Sequence, residues 1–224
     1  MSQPRLPDPS PRAVPTPYFP VQWHAVDEIR LEPGVAPLQV DLAGVLASRR
    51  SASAFELLSV QALGGLLWYV ARTLALAPSP YGFELQHRPV PSAGAIHPIH
   101  VVLQIPGRDK WARYDARTHR LAVLGNSADV LHHLRAEAAR IVDPGRGTLV
   151  AFVAEPGLTA AKYENPESLL WRDAGVLQGA ISLVAEAVGL NLCLLGATGN
   201  PWVGRLAEEG KLTGVGLGIL GARA

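Results

Sequence analysis

The residues that most directly suggest chemistry are two adjacent arginines followed by hydroxyl side chains. Arg49 and Arg50 precede Ser51 and Ser53. Guanidinium groups beside hydroxyls offer charge-assisted, bidentate contacts to an anion such as a phosphate. The same residues also suit a solvated basic turn, which is the more common place for an Arg-Arg pair. The segment is therefore a candidate anion site with the basic turn as its alternative.

A second candidate is a loop of small residues near the C-terminus. Residues 191–195 predict a buried strand that ends at Leu195 and leads into Gly196 and Ala197. A loop with so little side chain suits a flat ligand that lies against the backbone. The alternative is an ordinary turn after a core helix and strand, and these residues alone favour that alternative.

Several other motifs argue against common kinds of site. Residues 216–221 match G-x-G-x-x-G, but no helix follows to hold a phosphate, so the match predicts a strand. The histidine pairs at 97/100 and 132/133 lack a carboxylate cluster, so we expect no metal site. Cys193 is the only cysteine, which excludes an internal disulfide and a cysteine-built metal site. The sequence has neither a P-loop nor a G-x-S-x-G elbow.

Composition indicates a globular and rather apolar chain. Of its 224 residues 48% are hydrophobic and 17% are charged, enough for a substantial core. The net charge of +1 gives no electrostatic reason to expect nucleic acid. Apolar runs of membrane-spanning length and a signal-peptide core are both missing from the sequence. We therefore expect no membrane partner and a cytoplasmic location.

The elements that would position the candidate residues mix helices and strands without regular alternation. Ser59, Ser127 and Asp173 are predicted helix N-caps, and Gly189 marks a helix end. Apolar periodicity predicts helices at 42–47, 60–74, 128–141 and 173–188, and strands at 100–105, 111–114, 120–124, 148–153, 191–195 and 213–220. This pattern predicts an α+β fold.

The first part of the chain differs from the rest. Residues 1–40 are rich in proline, which resists helix and ladder formation, so they predict an extended N-terminal arm. Tyr18, Phe19, Val21 and Trp23 are apolar, so the arm should dock on a folded surface of this chain or of a partner. Residues 41–224 are predicted to form one folded domain.

Taken in order, several segments resemble a known family. These are Arg-Arg-Ser at 49–51, Pro-Ser-Ala-Gly at 91–94 followed by Pro98, Lys-Tyr at 162–163, Ala-Gly at 174–175 and the glycine-rich loop after residue 195. They resemble the nitroreductase superfamily and, more narrowly, are similar to the SagB-type dehydrogenases, which include the azoline oxidases of peptide natural-product pathways. The resemblance covers about residue 42 to the C-terminus. It implies a central mixed or antiparallel sheet flanked by helices, FMN as cofactor and an intertwined homodimer.

The resemblance also implies roles for individual residues. Arg49, Arg50 and Ser51, with Ser53 beside them, match the segment that holds the FMN phosphate and ribityl chain. Arg223 matches late arginines that add a phosphate contact in some relatives. The loop that flanks the isoalloxazine from the other subunit corresponds to Pro91, Ser92, Ala93 and Gly94, and the loop whose backbone faces the ring corresponds to Leu195, Gly196 and Ala197.

Proton transfer is the role implied for Lys162 and Tyr163, which match the Lys-Tyr pair of the azoline oxidases. The match agrees with the chemistry, because transfer of a hydride to a flavin while a proton leaves the substrate needs a positioned base. A buried lysine can have its pKa lowered for that purpose.

Two departures from the family pattern affect these expectations. The last position of the usual Arg-Arg-Ser-x-Arg motif is Ser53, so Arg223, Arg72 or Arg88 would have to supply the missing contact. A basic, aromatic run often follows the Lys-Tyr pair, whereas residues 164–168 here are acidic and contain a proline. These departures leave two alternatives: the substrate-facing loop differs from that of its relatives, or the flavin site has been lost.

Three hypotheses follow. The first is an FMN-dependent oxidoreductase that dehydrogenates a small or peptide-derived substrate or reduces an electrophile with NAD(P)H. The second is a flavin-free protein of the same fold that acts as a binding or scaffold subunit of a biosynthetic complex. The third is an unrelated hydrolase or transferase, and the absence of an interpretable nucleophile–base pair argues against it. We expect the first.

Overall fold

The computed structural model describes residues 7–34, 38–125, 127–207 and 210–223. Its helices are α1 Leu42–Ser48, α2 Val60–Ala71, α3 Ala128–Ala139, α4 Pro156–Ala160 and α5 Glu167–Ala187, with 3₁₀ turns at Ala93–Ala95 and Trp202–Leu206. Its strands are β1 Ser10–Pro11, β2 Ala25–Arg30, β3 Ala75–Ala77, β4 Leu85–His87, β5 Ile99–Gln104, β6 Trp111–Asp115, β7 Arg120–Leu124, β8 Thr148–Ala154, β9 Tyr163–Glu164, β10 Leu190–Leu195 and β11 Thr213–Ala222.

Seven of these strands form one sheet in the order β10-β11-β8-β5-β6-β7-β2. Every neighbouring pair in it is antiparallel. All seven residues of β8 are buried, because this strand lies near the middle and both faces of the sheet are covered. The G-x-G-x-x-G match falls inside β11, as the sequence predicted.

Side chains of the sheet alternate between two hydrophobic clusters. In β8, Val150 and Phe152 face a cluster that contains α2 and α5 residues, whereas Ala151 and Val153 face one that contains α3 residues and part of the second 3₁₀ turn. This alternation follows from the two-residue period of a strand. The predicted α+β class, with helices on both sides of an antiparallel sheet, is confirmed.

Most predicted elements are present, with three corrections to helix ends. The helix predicted at 128–141 ends at Ala139, and Ile141 is 51% exposed. The sequence placed Leu74 on the buried stripe of α2, but the helix ends at Ala71 and Leu74 is 45% exposed. Asp173 was predicted to be the N-cap of α5, but the helix begins six residues earlier, at Glu167, with Pro166 as its cap residue. Proline and an acidic residue are both favourable at a helix start, and here that signal takes precedence over Asp173.

The N-terminal arm docks on its own chain. β2 pairs with β7 as an edge strand of the main sheet, and β1 pairs with β9. Val21 donates its backbone N–H to the carboxylate of Glu155, at 2.6 Å, and Glu155 has no exposed surface. The prediction that this proline-rich segment resists ladder formation is therefore wrong for residues 10–11 and 25–30. Residues 1–6 and 35–37 of the predicted arm lie outside the described residues.

Among the described residues, no helix is long and apolar enough to cross a membrane.

Candidate functional site

The Lys-Tyr pair and the Pro-Ser-Ala-Gly loop lie together. The Nζ atom of Lys162 is 3.5 Å from the carbonyl oxygen of Gly94. A Cβ atom on Gly94 would lie 2.7 Å from that Nζ atom and 2.9 Å from the Tyr163 hydroxyl. Gly94 also has a φ of 64°, in the left-handed region that favours glycine. Residues nearly seventy positions apart in the sequence are thus brought within contact distance.

Asp173 holds this loop in place. Its carboxylate accepts a hydrogen bond from the Ser92 hydroxyl, at 2.5 Å, and one from the backbone N–H of Ala93, at 3.0 Å. The Ser92 oxygen in turn accepts from the backbone N–H of His97. Asp173 therefore lies inside α5 and caps a loop of another segment. This role was not predicted from the sequence, although an aspartate in a helix interior is unfavourable and can signal such a partner.

The N-terminal arm fixes the backbone on which Lys162 lies. Arg12 donates its backbone N–H to the carbonyl of Lys162, at 2.8 Å, and its Nε–H to the carbonyl of Ala160, at 2.7 Å. The β1–β9 pairing places Pro11 opposite Tyr163. The sequence does not indicate this contribution of the arm, because no local signal couples two segments so distant in sequence.

The local environment affects the two side chains differently. Burial raises the pKa of Tyr163, and the nearby Tyr81 and Asp173 act in the same direction. Its hydroxyl therefore stays protonated at neutral pH and can donate a hydrogen bond. Lys162 is half-buried, with Nζ 5.7 Å from the centre of the Tyr81 ring and 5.6 Å from that of Tyr163. A half-buried amine beside a neutral phenol can exchange a proton with a small substrate.

A second cluster surrounds Glu186, near the other end of α5. The Glu186 carboxylate accepts hydrogen bonds from the Ser48 hydroxyl and from Arg223, both at 2.7 Å. The hydrogen bond from Ser48 is the main cause that lowers the pKa of Glu186, and Arg223 and Arg49 also lower it. The structure therefore brings Arg223 and Arg49 together at the end of α1.

The remaining predicted anion-site residues lie next to this cluster. Arg50 is exposed and donates to the carbonyls of Ala47 and Arg49, at 2.8 and 2.9 Å. Ser51 and Ser53 are exposed, and the residue between them, Ala52, donates its N–H to the carbonyl of Leu192 in β10. The first predicted segment thus runs beside the strand that leads to the glycine-rich loop.

The glycine-rich loop presents open backbone. Leu195 pairs with Leu217 in β11, and Leu217 donates its N–H to the carbonyl of Ala197. Gly196 is exposed, and a Cβ atom placed on it would have no neighbour within 4 Å. This stretch has the free surface that a flat ligand needs.

Of the arginines considered as replacements at the Ser53 position, Arg223 is the one that lies beside Arg49. Arg72 donates to the Trp68 carbonyl and lies 4.5 Å from the Trp68 ring centre. Arg88 donates to the Gln86 side chain and lines a cavity.

The described residues contain no group of His, Cys, Asp and Glu side chains that could hold a metal ion.

The two clusters lie at opposite ends of α5. Asp173 and Glu186 are 13 residues apart (186 − 173) on this helix, which corresponds to about 20 Å at 1.5 Å per residue. Within one chain, the loop with the Lys-Tyr pair and the arginine cluster are therefore well separated.

Comparison with known proteins gives a consistent answer on the fold. Neither a protein-family model nor a curated protein matches the sequence. Among solved structures, a provisionally assigned nitroreductase from Ralstonia eutropha JMP134 is similar with a TM-score of 0.70 and 21% identity, over 94% of this chain and 99% of that one. A chain of the Escherichia coli microcin synthetase McbBCD complex with truncated pro-MccB17 bound has a TM-score of 0.59 and 16% identity, over 84% of this chain and 75% of that one.

A third similar structure contains a flavin. A provisionally assigned nitroreductase from Desulfovibrio desulfuricans in complex with FMN has a TM-score of 0.51 and 17% identity, over 83% of this chain and 88% of that one. At such identities the likeness concerns the architecture. The chain has the nitroreductase fold, with its large antiparallel sheet flanked by helices.

Proposed function

We propose that this chain is an FMN-dependent oxidoreductase of the SagB-type dehydrogenase kind, which moves a hydride between a small substrate and FMN. The observation that carries the proposal is the assembly of Lys162, Tyr163 and Gly94 at one point, from segments distant in sequence. A proton donor and acceptor beside a flavin-flanking loop are what dehydrogenation requires. The FMN-bound structure of similar fold supports the choice of cofactor.

The residues present fit FMN. In this proposal Arg49, Arg50, Arg223 and Ser51 hold the phosphate and ribityl chain, because guanidinium groups bind phosphate bidentately. Arg223 supplies the contact that Ser53 lacks. Leu195, Gly196 and Ala197 offer open backbone to the ring, and Pro91, Ser92, Ala93 and Gly94 flank it. Bound FMN would supply the hydride acceptor.

We also propose that the site forms between two copies of the chain. The distance between the two clusters separates the phosphate residues from the Lys-Tyr pair of the same chain, and a two-fold partner can supply the missing half. The exposed side of α5 offers a surface for this, since Trp171 is 51% and Val176 is 44% exposed. Gly175 and Gly179 beside them have open space where a Cβ would lie, so a second helix can approach closely.

Lys162 and Tyr163 divide the proton chemistry in this proposal. The Tyr163 hydroxyl, kept protonated by its raised pKa, donates to a heteroatom of the substrate and orients it. The Nζ atom of Lys162 accepts the proton that leaves as the substrate loses hydride. The Asp173–Ser92–Ala93 hydrogen bonds keep the loop carbonyl of Gly94 beside that Nζ atom.

The Lys162–Tyr163 pair favours one direction of the reaction. A positioned base favours dehydrogenation, with a separate oxidant to restore the flavin, over a reductase cycle driven by NAD(P)H. The similar microcin synthetase structure, which holds a truncated pro-MccB17, supports a peptide-derived substrate.

One observation favours a second candidate, a flavin-free scaffold subunit of a biosynthetic complex. Glu186 already engages Ser48 and Arg223, and its negative charge opposes phosphate binding at this cluster. With Ser53 in place of arginine, the net positive charge available to a phosphate is small. This candidate predicts a colourless protein that takes up no FMN.

The visible absorbance spectrum of the purified protein, before and after incubation with FMN, separates the two candidates. We expect stoichiometric flavin in the native chain and a large loss of it in Arg223→Met. The matched control Arg146→Met removes an exposed arginine paired with Glu56 at 2.8 Å and should retain its flavin. Lys162→Ala should keep the flavin and lose turnover. A native protein that stays colourless after incubation would contradict the enzyme proposal, and a fully active Lys162→Ala protein would contradict the role of the lysine.

A further inference from the structure

A cavity of about 310 Å³ lies where two strands of the main sheet separate. β5 pairs with β6 only from Val102 to Gln104, whereas it pairs with β8 from Ile99 to Leu103. The segment Ile99–Val101 therefore has no ladder partner on the β6 side, and both it and residues 113–115 line the cavity. The cavity shares a wall with the candidate flavin site through Ser92 and Asp173.

Two arginines in the wall have unused hydrogen-bonding capacity. Arg113 lies 5.5 Å from the centre of the Trp23 ring, and its Nε atom is buried with no hydrogen-bond partner among the described residues. Arg88 directs Nε and Nη2 to a single oxygen of Gln86, at 3.0 and 2.7 Å. Burial is the main cause that lowers the pKa of Arg88 to about 10, and the positive charge of Arg113 acts in the same direction. A guanidinium stays protonated in proteins at neutral pH, so both groups carry a positive charge.

The carboxylates of the wall form no ion pair with these arginines, although Asp115 and Glu155 stabilise the charge of Arg113 from a longer distance. Each lining carboxylate already binds other groups of the protein. These carboxylates are those of Glu84, Asp115, Glu155 and Asp173. Glu155, for example, accepts from the Val21 N–H at 2.6 Å and pairs with the His100 ring at 2.7 Å. Among the described residues, no ion pair within 4.0 Å joins Arg88 or Arg113 to a carboxylate.

The rest of the lining determines what kind of anion suits the cavity. Apolar side chains cover much of the wall: Val70, Phe83, Ile96, Val101, Leu158 and Leu177. The engaged carboxylates nearby would repel a dianion such as a phosphate. A ligand with one negative charge and an apolar body suits both the guanidinium groups and the apolar wall. A guanidinium binds a carboxylate bidentately, and the apolar body buries its surface against the wall.

We propose that this cavity is a second ligand site, which binds a small organic monocarboxylate with its carboxylate between Arg88 and Arg113 and its apolar body against the inner wall. Pro20, in the N-terminal arm, is part of the lining, so the docked arm helps to enclose the ligand. Arg88 and Arg113 lie outside the proposed flavin contacts, although Pro91 and Ser92 belong to the walls of both sites. We expect carboxylate binding to be independent of FMN.

Isothermal titration of the 224-residue chain with cyclohexanecarboxylate tests the proposal, with the neutral cyclohexanecarboxamide as the matched probe. We expect saturable binding of the carboxylate, and binding of the carboxamide weaker by about tenfold or more, because charge-assisted hydrogen bonds are lost. The carboxylate affinity should be the same with and without FMN. Equal binding of the two probes, no saturable binding, or displacement of the carboxylate by FMN would each overturn the proposal.

Variants locate the site. Arg113→Met and Arg88→Met should each weaken carboxylate binding by about tenfold or more. The matched control Arg120→Met removes an exposed arginine from the neighbouring strand, where it pairs with Glu28 at 2.6 Å, and should leave binding unchanged. Circular dichroism and thermal melting identify any variant that fails to fold. One folded cavity variant, Arg113→Met or Arg88→Met, is enough for the test. Unchanged binding in a folded cavity variant, or an equal loss in Arg120→Met, would refute the assignment.

Discussion

Replacing Asp173 by asparagine is the most informative perturbation of the candidate site. The carboxylate is 8% exposed and accepts from the Ser92 hydroxyl at 2.5 Å and the Ala93 N–H at 3.0 Å. Asparagine keeps the shape and one acceptor oxygen but removes the charge. Hydrogen bonds to a charged group contribute about 1 kcal/mol more than neutral ones, so two of them predict a loss of about 2 kcal/mol in the free energy of unfolding. The melting temperature should fall by roughly 4–8 °C.

Urea unfolding monitored by tryptophan fluorescence, at one fixed protein concentration, measures this change. The matched control is Asp27→Asn, because the Asp27 carboxylate also accepts a backbone N–H, from Glu28 at 2.8 Å, but is exposed. Its effect should stay within about 0.5 kcal/mol. An Asp173→Asn protein no less stable than the Asp27→Asn protein would refute the claim that this carboxylate holds the loop. Turnover should also fall in Asp173→Asn, because the loop carbonyl beside Lys162 is no longer fixed.

Three further predictions concern the same region. Arg12→Met should lower turnover while flavin occupancy is retained, because the arm then holds the Lys162 backbone less firmly; unchanged turnover would exclude a positioning role. Gly94→Ala should cost at least about 1 kcal/mol in urea unfolding, since the new Cβ would meet Lys162 and Tyr163 and alanine is unfavourable at positive φ; a neutral effect would contradict the packing of this loop. Burial, aided by Arg88, lowers the pKa of His97 to about 4, so the unfolded chain binds more protons there below pH 6.5 and stability should fall as the pH drops from about 6.5 to 4. Thermal melts across this range should show a shallower decline in His97→Asn, and parallel curves would contradict the assignment.

The regular elements were predicted well where the sequence carries a strong local period. The β-branched run at residues 148–153 became β8, and the apolar stripe after Ser59 became α2. Errors arose where two signals competed. Leu74 continues the helical period, yet it lies beyond the end of α2, and Thr73 donates its N–H to the Ala116 carbonyl in place of a helical partner. Contacts between segments outweighed propensity there.

The candidate site was predicted only in part, for a similar reason. Arg49, Lys162, Tyr163 and Gly94 were selected from their order in the chain, and the structure places Lys162, Tyr163 and Gly94 together. The role of Asp173 was missed because its partners lie about eighty residues away. Arg113 was missed because nothing in its neighbouring sequence indicates a cavity between two strands.

The sequence by itself determined the local features: which of the strongly periodic segments are helix or strand, which side chains are apolar, and which residues carry charge or a hydroxyl. These follow from periodicity and side-chain chemistry over a few neighbouring residues. The tertiary structure alone decided that the proline-rich arm becomes an edge strand and a support for Lys162, and that Asp173 caps a distant loop. Such contacts depend on the free energy of packing the whole chain, because only the folded topology brings residues of large sequence separation within hydrogen-bonding distance.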